Sequence, residues 1–129
     1  MIQSKIAAVR FLRQLREISE FIGGSLTELE GSTSDRERKA VAQPICKILG
    51  AIECDIYSPI IAVHPTLRPI ELLGSEKSQA RYKLMFCLGE DTPEEIVKTD
   101  IPPDNAYAVL EECEAHKPGI FWLELAQPT

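Results

Sequence analysis

Along the first fifty positions apolar residues recur at spacings of three and four, the signature of amphipathic helices. Ala8, Phe11, Leu12, Leu15, Ile18 and Ile22 form one such stripe, and Gly23-Gly24 is expected to end that helix. On its far side Arg13 and Arg16 each precede a glutamate by one turn, Glu17 and Glu20, which gives the arginines partners within the helix. Ile2, Ile6 and Val9 share that far side. A helix with apolar residues on two faces touches two things, so these three are expected to make a second contact, inside the chain or across a homodimer.

Residues 23–34, rich in Gly, Ser and Thr, read as a loop. A second helix should start at Ser34 or Asp35, with Val41, Ile45, Ile48, Leu49 and Ile52 as its stripe; the stripe runs on through Pro44, which favours one kinked helix over two. Pro59, Pro65 and Pro69 each push the preceding residue toward an extended conformation, so residues 54–73 read as one or two broken edge strands.

Strict alternation follows in residues 80–88, where Ala80, Tyr82, Leu84, Phe86 and Leu88 point to one face and Arg81, Lys83, Met85 and Cys87 to the other, partly wet one. Thr92-Pro93-Glu94-Glu95 combines a hydroxyl cap, a first-turn proline and a glutamate three residues after the cap, which predicts a short helix ended by Asp100-Ile101-Pro102-Pro103. The next helix starts near Pro103, carries Ala106, Val109, Leu110 and Cys113 inward, and stops at Lys117, Pro118 and Gly119. Residues 120–126 form the last strand, with Phe121, Leu123 and Leu125 on one face.

The expected fold class is therefore α+β, a single domain over residues 1–129. Two N-terminal helices precede a mixed sheet of three or four strands, with helices before the last strand. If the last two strands are neighbours, the intervening helices make them parallel through a right-handed crossover.

Composition adds that 129 residues, 44% of them apolar, can build a core without a disulfide or metal. No window approaches ~18 consecutive apolar residues, so no membrane span is expected. Cys46, Cys54, Cys87 and Cys113 are widely spaced and form no C-x-x-C pair, which reads as four free thiols in a reducing, cytoplasmic compartment. Residues 1–16 are basic, acid-free and amphipathic, as a mitochondrial presequence also is, but only Ser4 supplies a hydroxyl and Glu17 and Glu20 continue the helix.

Charge changes the picture more. The net charge is −6, and it is uneven: residues 1–50 carry eight bases and six acids, residues 51–129 six bases and fourteen acids. Nine acids and the single base Lys98 lie between Glu90 and Glu114. That balance argues against a chain whose main task is gripping phosphate backbones; Arg10, Arg13, Arg16, Arg36, Arg38 and Lys39 are interleaved with acids and lack aromatics for base stacking.

Candidate chemistry is sparse. His64 and His116 have no Cys, His or acidic partner at zinc spacing, so no metal is expected. Cys113 and His116, three apart on a helix, could pair as thiolate and imidazolium, but Cys113 lies on the apolar stripe and Glu111, Glu112 and Glu114 disfavour a thiolate. Glu90-Asp91, Glu94-Glu95 and Glu111-Glu112 offer paired carboxylates with no apolar pocket to shift them. No P-loop, G-x-G-x-x-G or G-x-S-x-G is present, and no cofactor is expected.

The expectation is a small acidic protein-binding module rather than an enzyme. Inhibitor or immunity-type proteins and chaperones of a basic client are the classes that fit. Glu90, Asp91, Glu94, Glu95, Glu111, Glu112 and Glu114 would dock and steer a basic protein partner. The alternatives are a small enzyme whose site is assembled from distant residues and a nucleic-acid-associated factor.

Overall fold

The computed structural model describes residues 2–31 and 34–126. It is α+β: helices and a three-stranded antiparallel sheet, with a helix before the last strand. The chain forms two compact units, Met1–Val63 and His64–Thr129.

The first unit is helical. Helix α1 spans Lys5–Glu30, with Ser4 as N-cap, its Oγ accepting from the Ala7 N–H at 3.2 Å. The helix does not stop at Gly23-Gly24. Ile22, Leu26 and Leu29 prolong its half-buried stripe, which offsets the ~1 kcal/mol that each glycine costs in a helix. Ser25 and Thr27 turn their hydroxyls back to the Phe21 and Gly23 carbonyls and so do not compete with the helix from outside. Most of the expected loop is thus helix, and the connection shrinks to Gly31–Ser34.

Helix α2 covers Asp35–Ala51. Ser34 caps it in a full capping box: its Oγ accepts from the Glu37 N–H at 3.3 Å, while Glu37 Oε1 accepts from the Ser34 N–H at 3.3 Å and from its hydroxyl at 2.9 Å. The hydroxyl bond above all holds the Glu37 carboxyl below its ordinary value. The helix runs through Pro44 unbroken.

Residues 54–73 are not strands. A π-helical segment, Ile52–Tyr57, leads into α3, Ser58–Val63, and three 3-10 turns follow at Pro65–Leu67, Ile70–Leu72 and Ser75–Gln79. Pro59 sits in the first turn of α3, and the Ser58 N–H reaches back five residues to the Glu53 carbonyl, which also accepts from the Ser58 hydroxyl at 3.1 Å. Pro65 likewise opens a 3-10 turn, where a missing N–H costs nothing.

The second unit holds the sheet: β1 at Tyr82–Cys87, β2 at Glu95–Ile101 and β3 at Ile120–Leu125, in the order β2-β1-β3. Both neighbours of β1 are antiparallel to it, so β2 and β3 never pair and no parallel crossover exists; the expected mixed sheet is purely antiparallel. The segment expected as a short helix is β2. Thr92 Oγ1 accepts from the Gly89 N–H at 2.8 Å and donates to the Gly89 carbonyl at 2.7 Å, so its hydroxyl closes a turn instead of capping a helix. Ile96, Val97, Thr99 and Ile101, all β-branched, favour the strand that follows.

Helix α4, Pro103–His116, packs on β1 and β3. It starts and stops where its sequence signals place it. Ile70, Leu73, Tyr82, Leu84, Ile101, Ala106, Leu110 and Phe121 form the core beneath it, and the Phe86 and Phe121 rings lie 4.8 Å apart, centre to centre. The opposite face of β1, expected to be partly wet, is covered at Met85 and Cys87.

Candidate functional site

The direction of each element decides where the acids gather. β1 ends at Cys87, directly opposite Ile120, the first residue of β3. The β1–β2 connection, with Glu90, Asp91 and Glu94, lies at that end, and Glu95 begins β2 there, paired with Phe86. β2 then carries the chain away, and α4 returns it. Fourteen residues of helix rise about 20 Å, the length of a six-residue strand, so the C-terminal half of α4 reaches the same end. Glu111, Glu112 and Glu114 therefore share one end of the unit with Glu90, Asp91, Glu94 and Glu95.

Their surroundings differ. Glu90, Asp91, Glu94, Glu95, Glu111 and Glu112 are exposed, whereas Glu114 is half-buried with its Oε1 enclosed. Glu90, Asp91, Glu94 and Glu95 lie in the β1–β2 connection and at the start of β2, since no helix starts at Thr92 to complement them with its dipole. β2 is an edge strand, and every residue from Glu95 to Asp100 is exposed, Ile96 and Val97 included. An edge strand offers unpaired backbone groups beside the acids.

Ile2, Ile6 and Val9 take the N-terminal end of α1: Ile6 and Val9 are buried and Ile2 is half-buried. Phe11 and Ile18, expected on the core stripe, are 37% and 49% exposed. The covered face of α1 thus lies between the two apolar faces that the spacing suggests.

Sequence reasoning missed one polar cluster. Glu124 is buried, and its two oxygens accept from Thr66 Oγ1 at 2.8 Å and Trp122 Nε1 at 2.9 Å. Strand alternation places Trp122 and Glu124 on the face away from Phe121 and Leu123; that this face is covered carries no local signal. Tyr82 is also enclosed, its hydroxyl donating to the Arg68 carbonyl at 2.8 Å; burial first, and then the Glu71 charge, push its phenol well above the ordinary range.

The four cysteines are thiols, Cys46 and Cys54 exposed, Cys87 buried and Cys113 half-buried. Among the described residues no three Cys, His or acidic side chains stand together as metal ligands. None of the described helices is long and apolar enough to cross a membrane. No protein-family model, curated protein or solved structure matches the chain.

Proposed function

We propose that this chain is a protein-binding module that docks a basic partner on the acidic end of its sheet unit, in a reducing, cytoplasmic setting, as an inhibitor, immunity-type protein or client chaperone would. The observation that carries the reading is topological. An antiparallel hairpin and a returning helix bring acids that are twenty residues apart in sequence to one end, where six of the seven are exposed.

Like charges held at one end raise a negative field that reaches about a Debye length, ~8 Å in physiological salt, beyond the surface. Such a field speeds encounter with a basic patch and rejects acidic competitors. The exposed edge of β2 beside it gives a partner backbone groups to bind, so that steering by charge and fixing by hydrogen bonds come from adjacent features.

The test starts from a capture on the immobilised full chain at low salt, with release by high salt. Association of the released protein is then followed with the wild type and with the double variant Glu111→Lys, Glu112→Lys across a salt series. Both glutamates are exposed on α4, so the variant keeps its fold by circular dichroism. A basic protein that associates at least tenfold more slowly with the variant, and with a flatter salt dependence, supports the reading. Equal rates, or nucleic acid as the released material, defeat it.

A further inference from the structure

Helix α2 is capped and periodic, yet none of its residues is buried. A helix of this length has little stability of its own in water and depends on covering its apolar stripe. α1 covers part of it. The half-buried positions Arg38, Ala42, Ile45 and Leu49 make one stripe on α2, and Ile22, Leu26 and Leu29 make one on the contacting half of α1. The two apolar sets left exposed are Phe11, Ile18 and Phe21 on α1 and Val41 and Ile48 on α2.

These sets lie on the same side of the hairpin. At about 100° per residue, Phe11, Ile18 and Phe21 are turned on average roughly 60° from Ile22, Leu26 and Leu29 on α1, and Val41 and Ile48 roughly 80° from the inner stripe of α2, in the same rotational sense. The connection from Gly31 to Ser34 is too short for anything but an antiparallel pair. A local twofold normal to an antiparallel hairpin exchanges its helices without changing sides, so offsets of the same sense and similar size bring both sets to one face. Counting outward from the connection also puts Ile18 level with Lys47 and Ile48.

We infer that this face is a self-association surface, on which the helical hairpins of two copies stack into a four-helix bundle. The area fits a second copy. Phe11, Ile18, Phe21, Val41 and Ile48 are 37%, 49%, 78%, 39% and 50% exposed. Together they amount to about two and a half side chains, or roughly 400–500 Å² at ~150–200 Å² each. A standard interface removes ~800 Å² from each partner, a little over half of it apolar, which is the same quantity. Gln14, Glu17, Ile18 and Phe21 line a groove of about 380 Å³ on this side of α1, at the level where Ile48 of the second copy would enter.

Charge agrees with one arrangement. A twofold axis along the hairpin lays α1 of one copy antiparallel on α2 of the other and keeps axial levels. The outer flank of α1 carries Glu17 and Glu28, and the outer flank of α2 carries Lys47 and Arg36 at the matching levels. Opposite charges meet twice on each rim, where such pairs set register more than affinity.

Sedimentation equilibrium of the full chain over a range of ~1–200 µM tests the inference. The wild type should be a dimer at the upper end. Ile48→Glu, which changes a half-exposed side chain, should keep the helical circular dichroism and raise the dissociation constant at least tenfold. Lys47→Glu should weaken the dimer several-fold, and adding Glu17→Lys should restore it, a rescue that holds even if Ile48→Glu misfolds. A wild type that stays monomeric at 200 µM overturns the inference, as does a dimer indifferent to all of these changes. A monomer that co-sediments with vesicles of anionic lipid overturns it too, assigning the face to a membrane surface.

Discussion

Helix α4 encloses Ala106 and Leu110 at its stripe, whereas α2, three residues longer and more strongly periodic, encloses nothing. Both carry the same kind of apolar pattern. α4 lies on a sheet whose strands already fix a broad apolar floor, while α2 lies against part of α1. Periodicity thus predicts that a helix forms and which way it would turn its stripe. It does not predict how much of that stripe finds cover, because cover is supplied by other elements.

Substitutions should fall hard on the sheet unit and lightly on the helical one. The largest effect is expected at Gly119, whose φ of +133° is a conformation L-residues rarely adopt, and where a Cβ would collide with the Phe86 ring and come within 3.2 Å of the Cys87 carbonyl. Gly119→Ala should combine about 1–3 kcal/mol of backbone strain with a similar overpacking cost. Urea unfolding reads this directly, and an unchanged midpoint would mean that the β3 entry relaxes freely.

Next is Leu84, fully enclosed between α4 and the sheet. Leu84→Ala should cost about 2–5 kcal/mol. The comparison between the units breaks if an equivalent truncation in α2, Ile45→Ala, costs as much in dilute solution, where any dimer is dissociated.

Ser34→Ala removes both directions of the α2 capping box and should cost about 1 kcal/mol. It also removes the bonds that lower the Glu37 carboxyl. A lowered folded value adds stability that is fully present above the ordinary carboxyl value of 4.5 and is lost as pH falls through the folded value. Between wild type and variant, therefore, the stability gap should narrow on acidification below that point. A gap that is constant from pH 7 to pH 3 would show that Glu37 contributes nothing to the cap.

The smallest effect should have the opposite sign. A Cβ on Gly24 meets nothing within 4 Å, and the residue is helical, so Gly24→Ala should stabilise by about 0.5–1 kcal/mol through reduced freedom of the unfolded chain. Thermal melting measures it. A loss of stability would show that the double glycine serves some bend in α1.

Those same glycines mark where sequence reasoning ended. Elements governed by local chemistry were legible: the Ser34 cap, the alternation of β1 and β3, the start of α4 at Pro103 and its stop before Gly119. Each depends on neighbours within about four residues. The acids from Glu90 to Glu114 were visible as a cluster in sequence, but their gathering at one end was not, since it needs β2, which sequence reasoning took for a helix, to carry the chain away and α4 to bring it back.

What the sequence determines by itself is thus the α+β class, the excess of acid after residue 50, and the helices and strands whose capping and spacing agree. Tertiary structure decided the rest. It made a strand of Glu95–Ile101 because β1 had an edge to offer its β-branched residues, and it carried α1 through Gly23-Gly24 because α2 lay alongside. Prolines at 59 and 65 became helix starts for a related reason: a missing N–H is harmless in a first turn and harmful in a ladder, and only the fold decides which of the two the chain requires.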